Sequence, residues 1–395
     1  MKHLVLVDIE NDWKQLLPLT FTRSVSQIRI GILTIEEKWM KYFPDVSVSF
    51  SVQPHLAALF PFRDSDESLY VRSSVLPDEH LLKVLSSLNA GQSLYSGTEW
   101  VAFKGNSHGW KKHHEAEKLS LHTPLKMVSK VYDIFKNNGE AISDDFKLLT
   151  NRRQSVPLSK SVTVIGDANL VFLEEGAVAE ACIINTKGGP VYLGKESEMM
   201  EGSVVRGPFA LCEHSVLKLS AKIYGPTTIG PHSKVGGEVN NSVIFGYSNK
   251  AHDGFLGNSV IGEWCNLGAD TNNSNLKNNY ANVKLYNYAE NRPLDTGLQF
   301  CGLIMGDYSK SGINTMFNTG TVVGVGANIF GGGFPPTHLP SFTWGGSESL
   351  EVYRLEKLFE TSEKVFERRG LVFGNREKEM LKGVFELTDK DRKGL

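Results

Sequence analysis

The chain has 395 residues, more than one hydrophobic core usually serves, so its length favours two or three domains. Hydrophobic residues make up 41% and charged residues 22%, which excludes a largely disordered chain. The net charge of −2 argues against nucleic acid or an anionic membrane as a partner. No apolar run approaches the ~18 residues of a membrane helix, and the four cysteines form no CxxC pair. We therefore expect a soluble cytoplasmic protein.

The first part of the chain mixes strand and helix patterns. Leu4 to Val7 reads as a strand, whereas Ile35 to Tyr42 and Glu79 to Leu88 carry apolar residues at helical spacing. Strands that alternate with helices predict an α/β domain, which we place at residues 1–155. The polar stretch 151–157 ends in proline and is typical of a linker.

An internal repeat of six residues follows. Two extra residues interrupt it, after which we expect it to resume with Phe255, Ile261 and Leu267 facing inward. One aliphatic residue per unit predicts a parallel coil of short strands, with glycine and asparagine at corners where φ is positive. We assign this coil to residues 160–346. Eight consecutive aliphatic positions define it: Leu193, Met199, Val205, Leu211, Leu217, Ile223, Ile229 and Val235.

The last segment returns to helical spacing. Two apolar patterns follow helical spacing: Val352, Leu355, Leu358, Phe359 and Phe366, and then Met380, Leu381, Val384 and Phe385. Residues 347–395 are therefore predicted to form a helical extension that packs on the coil or on a neighbouring subunit.

Three short motifs narrow the interpretation of the coil. The segments 252–257 (HDGFLG), 260–262 (VIG) and 266–271 (NLGADT) place a histidine before a series of aliphatic-glycine pairs. This pattern resembles the acetyltransferase half of GlmU, the bifunctional N-acetylglucosamine-1-phosphate uridylyltransferase/glucosamine-1-phosphate acetyltransferase. The resemblance implies a left-handed parallel β-helix, a homotrimer, and acetyl-CoA bound between neighbouring coils.

The resemblance also implies roles for individual residues. His252 would be the general base for acetyl transfer, and an imidazole titrates in the right range for that role. Asn275 would contact the sugar or the thioester; the alternative for both residues is an ordinary corner of the coil. Amino-sugar phosphate would be bound by Lys250, Lys277, Lys284, Asn240 and Asn241, and acetyl-CoA by Ala269, Lys310 and Ser311.

The N-terminal part carries a weaker motif. Residues 17–23 (LPLTFTR) resemble a segment of sugar-nucleotide transferases, but no glycine occurs in the first thirty residues, where the phosphate loop of that family would lie. The resemblance implies UTP as a co-substrate. Arg23 and Arg29 are candidates to neutralise its phosphates. Asp133, Asn138 and Asp145 are the candidate oxygen ligands for Mg²⁺.

Two alternatives remain open at this stage. The chain could be a non-catalytic, sugar-nucleotide-binding regulatory or scaffold protein, or an acetyltransferase whose N-terminal domain is inactive. A zinc enzyme on the same coil would need three converging histidines, for which His214, His232 and His252 are available. The favoured prediction is an enzyme that acetylates glucosamine-1-phosphate or a related hexosamine phosphate from acetyl-CoA and then transfers UMP from UTP to give UDP-N-acetylglucosamine.

Overall fold

The computed structural model describes residues 2–395, and it begins with a six-stranded α/β domain. The sheet has the order β2-β1-β3-β5-β4-β6, with β1 parallel to β2 and β3, and β5 antiparallel to β3 and β4. The elements are β1 (His3–Val7), α1 (Glu10–Gln15), α2 (Ile35–Tyr42), β2 (Ser47–Ser51), β3 (Ser68–Arg72), α3 (Glu79–Ser87), β4 (Gln92–Ser96), β5 (Glu99–Gly105), α4 (Ser107–Trp110), β6 (Glu117–Ser120), α5 (Asp133–Lys136) and α6 (Asn138–Thr150).

The predicted local elements of this domain are confirmed. The first strand and both predicted helices are present within one residue of the expected bounds. The second helix begins where it does because Thr34 and Glu37 form a reciprocal capping box: each side chain accepts a hydrogen bond from the other's backbone N–H.

The remainder of the chain is mostly a coil of short strands. They are β7 (Thr163–Ile165), β8 (Val171–Leu173), β9 (Val178–Ala179), β10 (Ile183–Asn185), β11 (Val191–Leu193), β12 (Glu198–Met199), β13 (Val204–Arg206), β14 (Phe209–Leu211), β15 (Val216–Leu217), β16 (Lys222–Tyr224), β17 (Thr227–Ile229), β18 (Lys234–Val235), β19 (Glu238–Asn240), β20 (Val243–Ile244), β21 (Asn249–Lys250), β22 (Phe255–Gly257), β23 (Val260–Ile261), β24 (Asn266–Leu267), β25 (Asn272–Asn273), β26 (Lys284–Asn287), β27 (Arg292–Asp295), β28 (Ile304–Met305), β29 (Lys310–Ser311), β30 (Met316–Phe317), β31 (Val322–Val323), β32 (Asn328–Ile329), β33 (His338–Leu339), β34 (Thr343–Gly345) and β35 (Leu350–Val352).

Most of these strands build a three-sided prism, whereas β25 pairs with β30 as a separate parallel pair and β26 and β27 form an antiparallel hairpin. Face 1 contains β7, β10, β13, β16, β19 and β22, face 2 contains β8, β11, β14, β17, β20, β23, β28, β31 and β33, and face 3 contains β9, β12, β15, β18, β21, β24, β29, β32 and β34, with β35 added antiparallel at its end. Pairing along each face is parallel between successive turns. All eight aliphatic positions of the repeat lie in the interior and are at most 1% exposed, so the predicted parallel coil is confirmed.

The interior register differs from the prediction at one position. Leu256, not Phe255, occupies the inward position of β22 and pairs with Val239 of the turn below. The inward residues Lys250 and Leu256 are six positions apart, but Leu256 and Ile261 are only five apart, so counting back six from Ile261 reaches Phe255, which lies outward. Ile261 and Leu267 are buried as expected.

The outer side of face 2 is covered by the other parts of the chain. Val243, Val260, Ile304 and Val322 point out of the coil and join one apolar cluster with the α/β domain and the C-terminal helices. Those helices are α7 (Leu355–Glu367) and α8 (Asn375–Leu387), which confirms the predicted helical extension, except that Val352 ends the strand β35 and the first helix begins only at Leu355. The domain boundaries 1–155, 160–346 and 347–395 stay predictions.

Polar contacts fix the α/β domain against the coil. Thr22 Oγ1 donates to Asp307 Oδ2 at 2.6 Å, and the Arg23 guanidinium pairs with the same carboxylate. Asn138 of α6 donates to Thr228 Oγ1 at 3.1 Å. Among residues 2–395, we find no helix with the length and apolar character needed to cross a bilayer.

Candidate functional site

A groove runs along face 3, between the coil and the C-terminal end of α7. Its volume is about 570 Å³. His252 lies at its edge, Ala269 and Lys310 contribute from the coil, and Arg368 and Arg369 contribute from the end of α7. We refer to this space as the His252 groove.

The corner that presents His252 requires its glycine. Gly254 has a φ of +122°, and a Cβ atom there would approach the Thr271 carbonyl oxygen to 2.3 Å. His252 lies two residues after the end of β21 and is exposed at the turn from face 3 to face 1. Its ring makes no hydrogen bond to any other residue in the range 2–395, so it is free to meet a ligand.

Positive charge in the His252 groove has no acidic partner. Lys234, Lys310, Arg368 and Arg369 line it, and none of these side chains forms an ion pair within the described part of the chain. Burial lowers the pKa of Lys310, whose Nζ reaches only the Tyr308 carbonyl oxygen at 3.4 Å. Uncompensated cations around a concave surface favour an anionic ligand.

The end of α7 is held in place by an aromatic stack. Phe366 lies on the Trp264 ring, with centroids 3.9 Å apart, and Trp264 continues a ladder through Tyr247 at 4.2 Å. Tyr247 and Trp264 both occupy corner positions with positive φ, so their rings superpose on successive turns. From this anchor, Arg369 Nη2 reaches Asn249 Oδ1 at 3.4 Å on face 3.

The predicted acetyl-CoA residues divide between two environments. Ala269 and Lys310 line the His252 groove. Ser311 instead points into the coil, where its hydroxyl lies 2.9 Å from Thr271 Oγ1. Only the first two are therefore positioned to touch a ligand in the groove.

The two predicted catalytic residues lie at different corners. Asn275 follows face 1, and its Nδ2 donates to Asn258 Oδ1 at 2.8 Å, whereas His252 precedes face 1. A single chain does not bring them into one pocket.

The predicted sugar-phosphate residues also do not converge. Lys250 is 3% exposed and points into the coil, donating to the carbonyl oxygens of Gly236 at 3.0 Å and His252 at 2.9 Å. Burial lowers the pKa of Lys250 to about 8. Lys277 belongs to a separate open surface and donates to the Asn282 carbonyl oxygen.

The remaining members of that set lie elsewhere. Lys284 is exposed at the start of β26, in a hairpin inserted between turns of the coil. Asn240 donates to the Tyr224 carbonyl oxygen at 3.3 Å, and Asn241 has a φ of +43° at the corner between faces 1 and 2.

Both predicted phosphate-binding arginines are engaged in the interface between the α/β domain and the coil. Arg23 is 4% exposed, pairs with Asp307 and lies 4.8 Å from the centroid of the Phe245 ring. Arg29 donates to the Ile32 carbonyl oxygen and lies 3.4 Å from Glu37 Oε2. The structure thus gives Arg23 an internal partner across the interface, whereas Arg29 pairs with Glu37 of its own domain and lines an open cleft.

The predicted Mg²⁺ ligands have internal partners too. Asp145 pairs with Lys38 and accepts hydrogen bonds from the Ile32 and Leu33 amides, and Asn138 accepts one from the Gly31 amide at 2.8 Å. Asp133 accepts hydrogen bonds from the Ser129 and Lys130 amides, in the turn that precedes its own short helix.

Asn138, Asp133 and Asp145 thus already accept hydrogen bonds from backbone amides, and over residues 2–395 no group of three His, Cys, Asp or Glu side chains could hold a metal ion. The three histidines considered for zinc are also separated. His214 and His232 stack at 4.7 Å on the corner between faces 2 and 3, and His252 lies at the next corner.

The carboxyl ends of β1 and β3 are closed by side chains. Helix α1 follows β1 at the position of the expected phosphate loop, and Asp12 of this helix pairs with Arg72 at the end of β3 through two hydrogen bonds of 2.7 and 2.6 Å. Asp8 is buried beside them, and burial raises its pKa to about 7. This edge of the sheet is filled rather than open.

Sequence reasoning missed Arg368 and Arg369, which it treated only as part of a packing helix. The available signal was a pair of consecutive arginines at the end of an amphipathic helix, directly before Gly370. Their relation to His252 depends on how α7 crosses the coil, which the repeat pattern does not contain.

Comparison with known proteins supports both parts of the predicted resemblance. Residues 4–154 match the family model described as "Sugar nucleotidyl transferase". A "Bifunctional sugar-1-phosphate nucleotidylyltransferase/acetyltransferase" of Sulfurisphaera tokodaii is 29% identical over 42% of this chain and 40% of its own length. A "Bifunctional protein GlmU" of Methanococcus maripaludis is 33% identical over 23% of this chain and 22% of its own length.

The alignments with these relatives span less than half of their length. Among solved structures, the UDP-N-acetylglucosamine acyltransferase of Francisella novicida is 14% identical, covers 60% of this chain and 85% of its own, and has a TM-score of 0.29, at which the likeness carries no argument. Residues 4–154 are thus similar to the sugar nucleotidyl transferase family, and part of the chain is similar to GlmU-like bifunctional proteins, in line with the resemblance that its motifs predicted.

Proposed function

We propose that the protein transfers an acetyl group from acetyl-CoA to the amine of a hexosamine phosphate such as glucosamine-1-phosphate. The observation that carries this proposal is the His252 groove, where an imidazole without a protein partner adjoins four cations without acidic partners. Both curated relatives described above are bifunctional proteins, and the name of the Sulfurisphaera protein includes an acetyltransferase.

The residues of the groove fit the parts of this reaction. His252 would accept the proton that the attacking amine loses as its nitrogen bonds to the thioester carbonyl carbon. Acetyl-CoA would supply the acetyl group, and the coenzyme thiolate would leave with a proton. Lys310, Arg368 and Arg369 would hold the phosphates of the donor through charge-assisted hydrogen bonds.

The sugar phosphate needs a second set of contacts. The predicted residues Asn275, Lys277 and Lys284 lie away from the His252 groove of the same chain. In the homotrimer that the resemblance implies, a neighbouring coil would present such residues from another corner. Light scattering of the purified protein measures the oligomeric state directly, and a monomer that retains activity would contradict this arrangement.

Nucleotidyl transfer from UTP is the second candidate function, and the family match of residues 4–154 favours it. The filled edge of the sheet opposes it, because α1 and the Asp12–Arg72 pair occupy the place where a nucleotide would lie. We infer that acetyl transfer is the activity of this chain. If the protein binds a sugar nucleotide but catalyses neither reaction, the result would match the scaffold alternative.

Two assays on one preparation test the proposal. Coenzyme A release is followed with acetyl-CoA and glucosamine-1-phosphate, and pyrophosphate release with UTP and N-acetylglucosamine-1-phosphate. His252→Ala should reduce kcat for acetyl transfer by about 10²-fold or more, in line with the loss of a general base. His214→Ala is the matched control, since His214 is another exposed corner imidazole outside the groove, and its activity should be unchanged.

The outcomes separate the candidates. Pyrophosphate release that survives His252→Ala would show that the α/β domain is active despite its filled edge. No acetyl transfer to any hexosamine phosphate by the wild-type protein would overturn the proposed function.

A further inference from the structure

Two successive corners of the coil differ in length at the position of His252. Four residues, 251–254, connect β21 to β22 and include His252, whereas only Gly236 and Gly237 connect β18 to β19 on the preceding turn. The corners 218–221 and 268–271, between the same two faces, again have four residues each. We refer to residues 236–237 as the short corner and to residues 251–254 as the His252 corner.

The two corners are in direct backbone contact. Gly237 has a φ of +71°, and a Cβ atom there would lie 2.9 Å from the His252 carbonyl oxygen and 2.8 Å from Asp253 Cα. A Cβ atom at Gly236 would lie 2.7 Å from the Ala251 carbonyl oxygen. The short corner therefore requires glycine, and it brings no side chain of its own to support the His252 corner.

Lys250 bridges the two corners from inside the coil. Its side chain is 3% exposed at the inward position of β21. Nζ donates to the carbonyl oxygen of Gly236 at 3.0 Å, on the short corner, and to that of His252 at 2.9 Å. In residues 2–395, neither oxygen accepts a hydrogen bond from a backbone amide. One ammonium group thus ties the backbone of His252 to the turn before it.

The backbone hydrogen bonds of the His252 corner lie on either side of His252. After His252, the Asp270 amide donates to the Asp253 carbonyl oxygen at 3.0 Å. Before it, the Gly236 amide donates to the Lys250 carbonyl oxygen at 2.8 Å. Between these two points, the carbonyl oxygen of His252 is held by the Lys250 side chain.

Burying this ammonium group is unfavourable for the fold. Asp253 and Asp270 attract it only through space, and burial lowers its pKa to about 8. The inward positions on the neighbouring turns are aliphatic, namely Val235 and Leu267. An aliphatic residue at position 250 would continue this column without removing a charge from water. Packing alone therefore does not account for a lysine at this position.

We propose that Lys250 is a positioning residue for His252, a role that rests on the acetyl transfer proposed above. By holding the His252 carbonyl oxygen against the short corner, Lys250 fixes the point from which the imidazole enters the groove. A general base must lie within hydrogen-bond distance of the proton that it accepts, so a displaced corner slows the transfer. Lys250 itself contacts neither the donor nor the acceptor.

Lys250→Met retains the length of the side chain and removes the hydrogen-bond donor. Steady-state kinetics at pH 7 with acetyl-CoA and glucosamine-1-phosphate should give a kcat about tenfold below that of the wild type. KM for acetyl-CoA should not change, because the cations of the groove stay in place. The melting temperature should equal or exceed that of the wild type, since a buried charge is lost.

Ser203→Ala is the matched control. Ser203 is a buried corner residue between the same two faces on an earlier turn, and its hydroxyl donates to the Lys218 carbonyl oxygen at 3.0 Å. The variant therefore also removes a hydrogen bond from a side chain to a corner carbonyl, but away from His252. Its kcat and KM should equal those of the wild type.

Hydrogen exchange followed by mass spectrometry examines the corner without catalysis. In Lys250→Met, a peptide spanning residues 249–257 should exchange faster than in the wild type, whereas a peptide spanning 198–206 should not change. An unchanged kcat in Lys250→Met would refute the positioning role and leave the proposed function intact. If the wild type transfers no acetyl group, the proposed function fails and exchange decides on Lys250. Equal exchange of residues 249–257 in both proteins would then refute its role, and faster exchange confined to them would support it.

Discussion

The buried carboxyl of Asp8 should make the stability of the α/β domain depend on pH near neutrality. Asp8 lies at the end of β1, where its oxygens accept hydrogen bonds from the Val25 amide at 3.1 and 3.2 Å and from Ser24 Oγ at 2.9 Å. Burial, and to a lesser degree the nearby Asp12 carboxylate, raises its pKa from 3.8 to about 7. These hydrogen bonds act in the opposite direction but do not offset the burial.

The sign follows from which state holds the proton. Between pH 4 and pH 7 the folded protein keeps Asp8 protonated while the unfolded chain releases that proton, so the free energy of unfolding falls as the pH rises. A difference of about three pKa units corresponds to about 4 kcal/mol lost across this window. Below pH 4 the contribution is fully present.

Asp8→Asn removes the titration and keeps an oxygen that can accept the Val25 hydrogen bond. We expect the variant to match the wild type at pH 4 and to exceed its stability by about 4 kcal/mol at pH 8. Urea unfolding followed by tryptophan fluorescence at several pH values measures the difference, with the exposed Asp45→Asn as control. If Asp8→Asn and the wild type show the same pH slope, the inferred buried and protonated state of Asp8 is wrong.

Three further perturbations test the packing around the sites. Arg23→Ala leaves Asp307 buried without its partner and should destabilise the protein by about 3–5 kcal/mol in thermal unfolding, with an unchanged melting temperature contradicting the buried pair. Between pH 8 and pH 10.5 only the unfolded wild-type chain keeps the Lys250 proton, so its free energy of unfolding should rise by about 3 kcal/mol over this range, and Lys250→Met should abolish that rise. Trp264→Ala removes the ring beneath Phe366, so it should lower the free energy of unfolding by about 3–5 kcal/mol and speed proteolysis after α7. If the variant resists proteolysis as the wild type does, the aromatic stack does not hold α7 in place.

Much of the fold could be predicted from local pattern. The interior of the coil follows from one aliphatic residue in six, because each unit contributes one side chain to a continuous column. The first strand and two helices follow from period and capping residues. The incorrect register at Phe255 arises because the local pattern assumes corners of equal length, and a corner of different length changes which side chain lies inward.

The candidate site was only partly predictable, because it depends on contacts between distant segments. Lys310 and His252 lie 58 positions apart in the sequence but on nearby turns of the coil, because a hairpin is inserted between two of these turns. Arg23 and Arg29 match the expectation of a phosphate site by charge alone, yet both neutralise groups at the domain interface. A cation in a sequence does not reveal whether its partner is a ligand or another part of the same chain.

The interior of face 3 offers an independent reason to look for function beside His252. Its inward column is apolar at Leu217 and Val235, but Lys250 and Ser311 occupy inward positions on either side of Leu267. Polar side chains at inward positions weaken the packing of the coil, and apolar residues at positions 250 and 311 would make the coil more stable.

The outward neighbours of these two residues, Asn249 and Lys310, both line the His252 groove, and Lys250 holds the carbonyl oxygen of His252 itself. A purely structural coil has no need of this arrangement. Interior and exterior departures from the repeat coincide on the same strands, which is expected if those turns were shaped by a ligand as well as by folding.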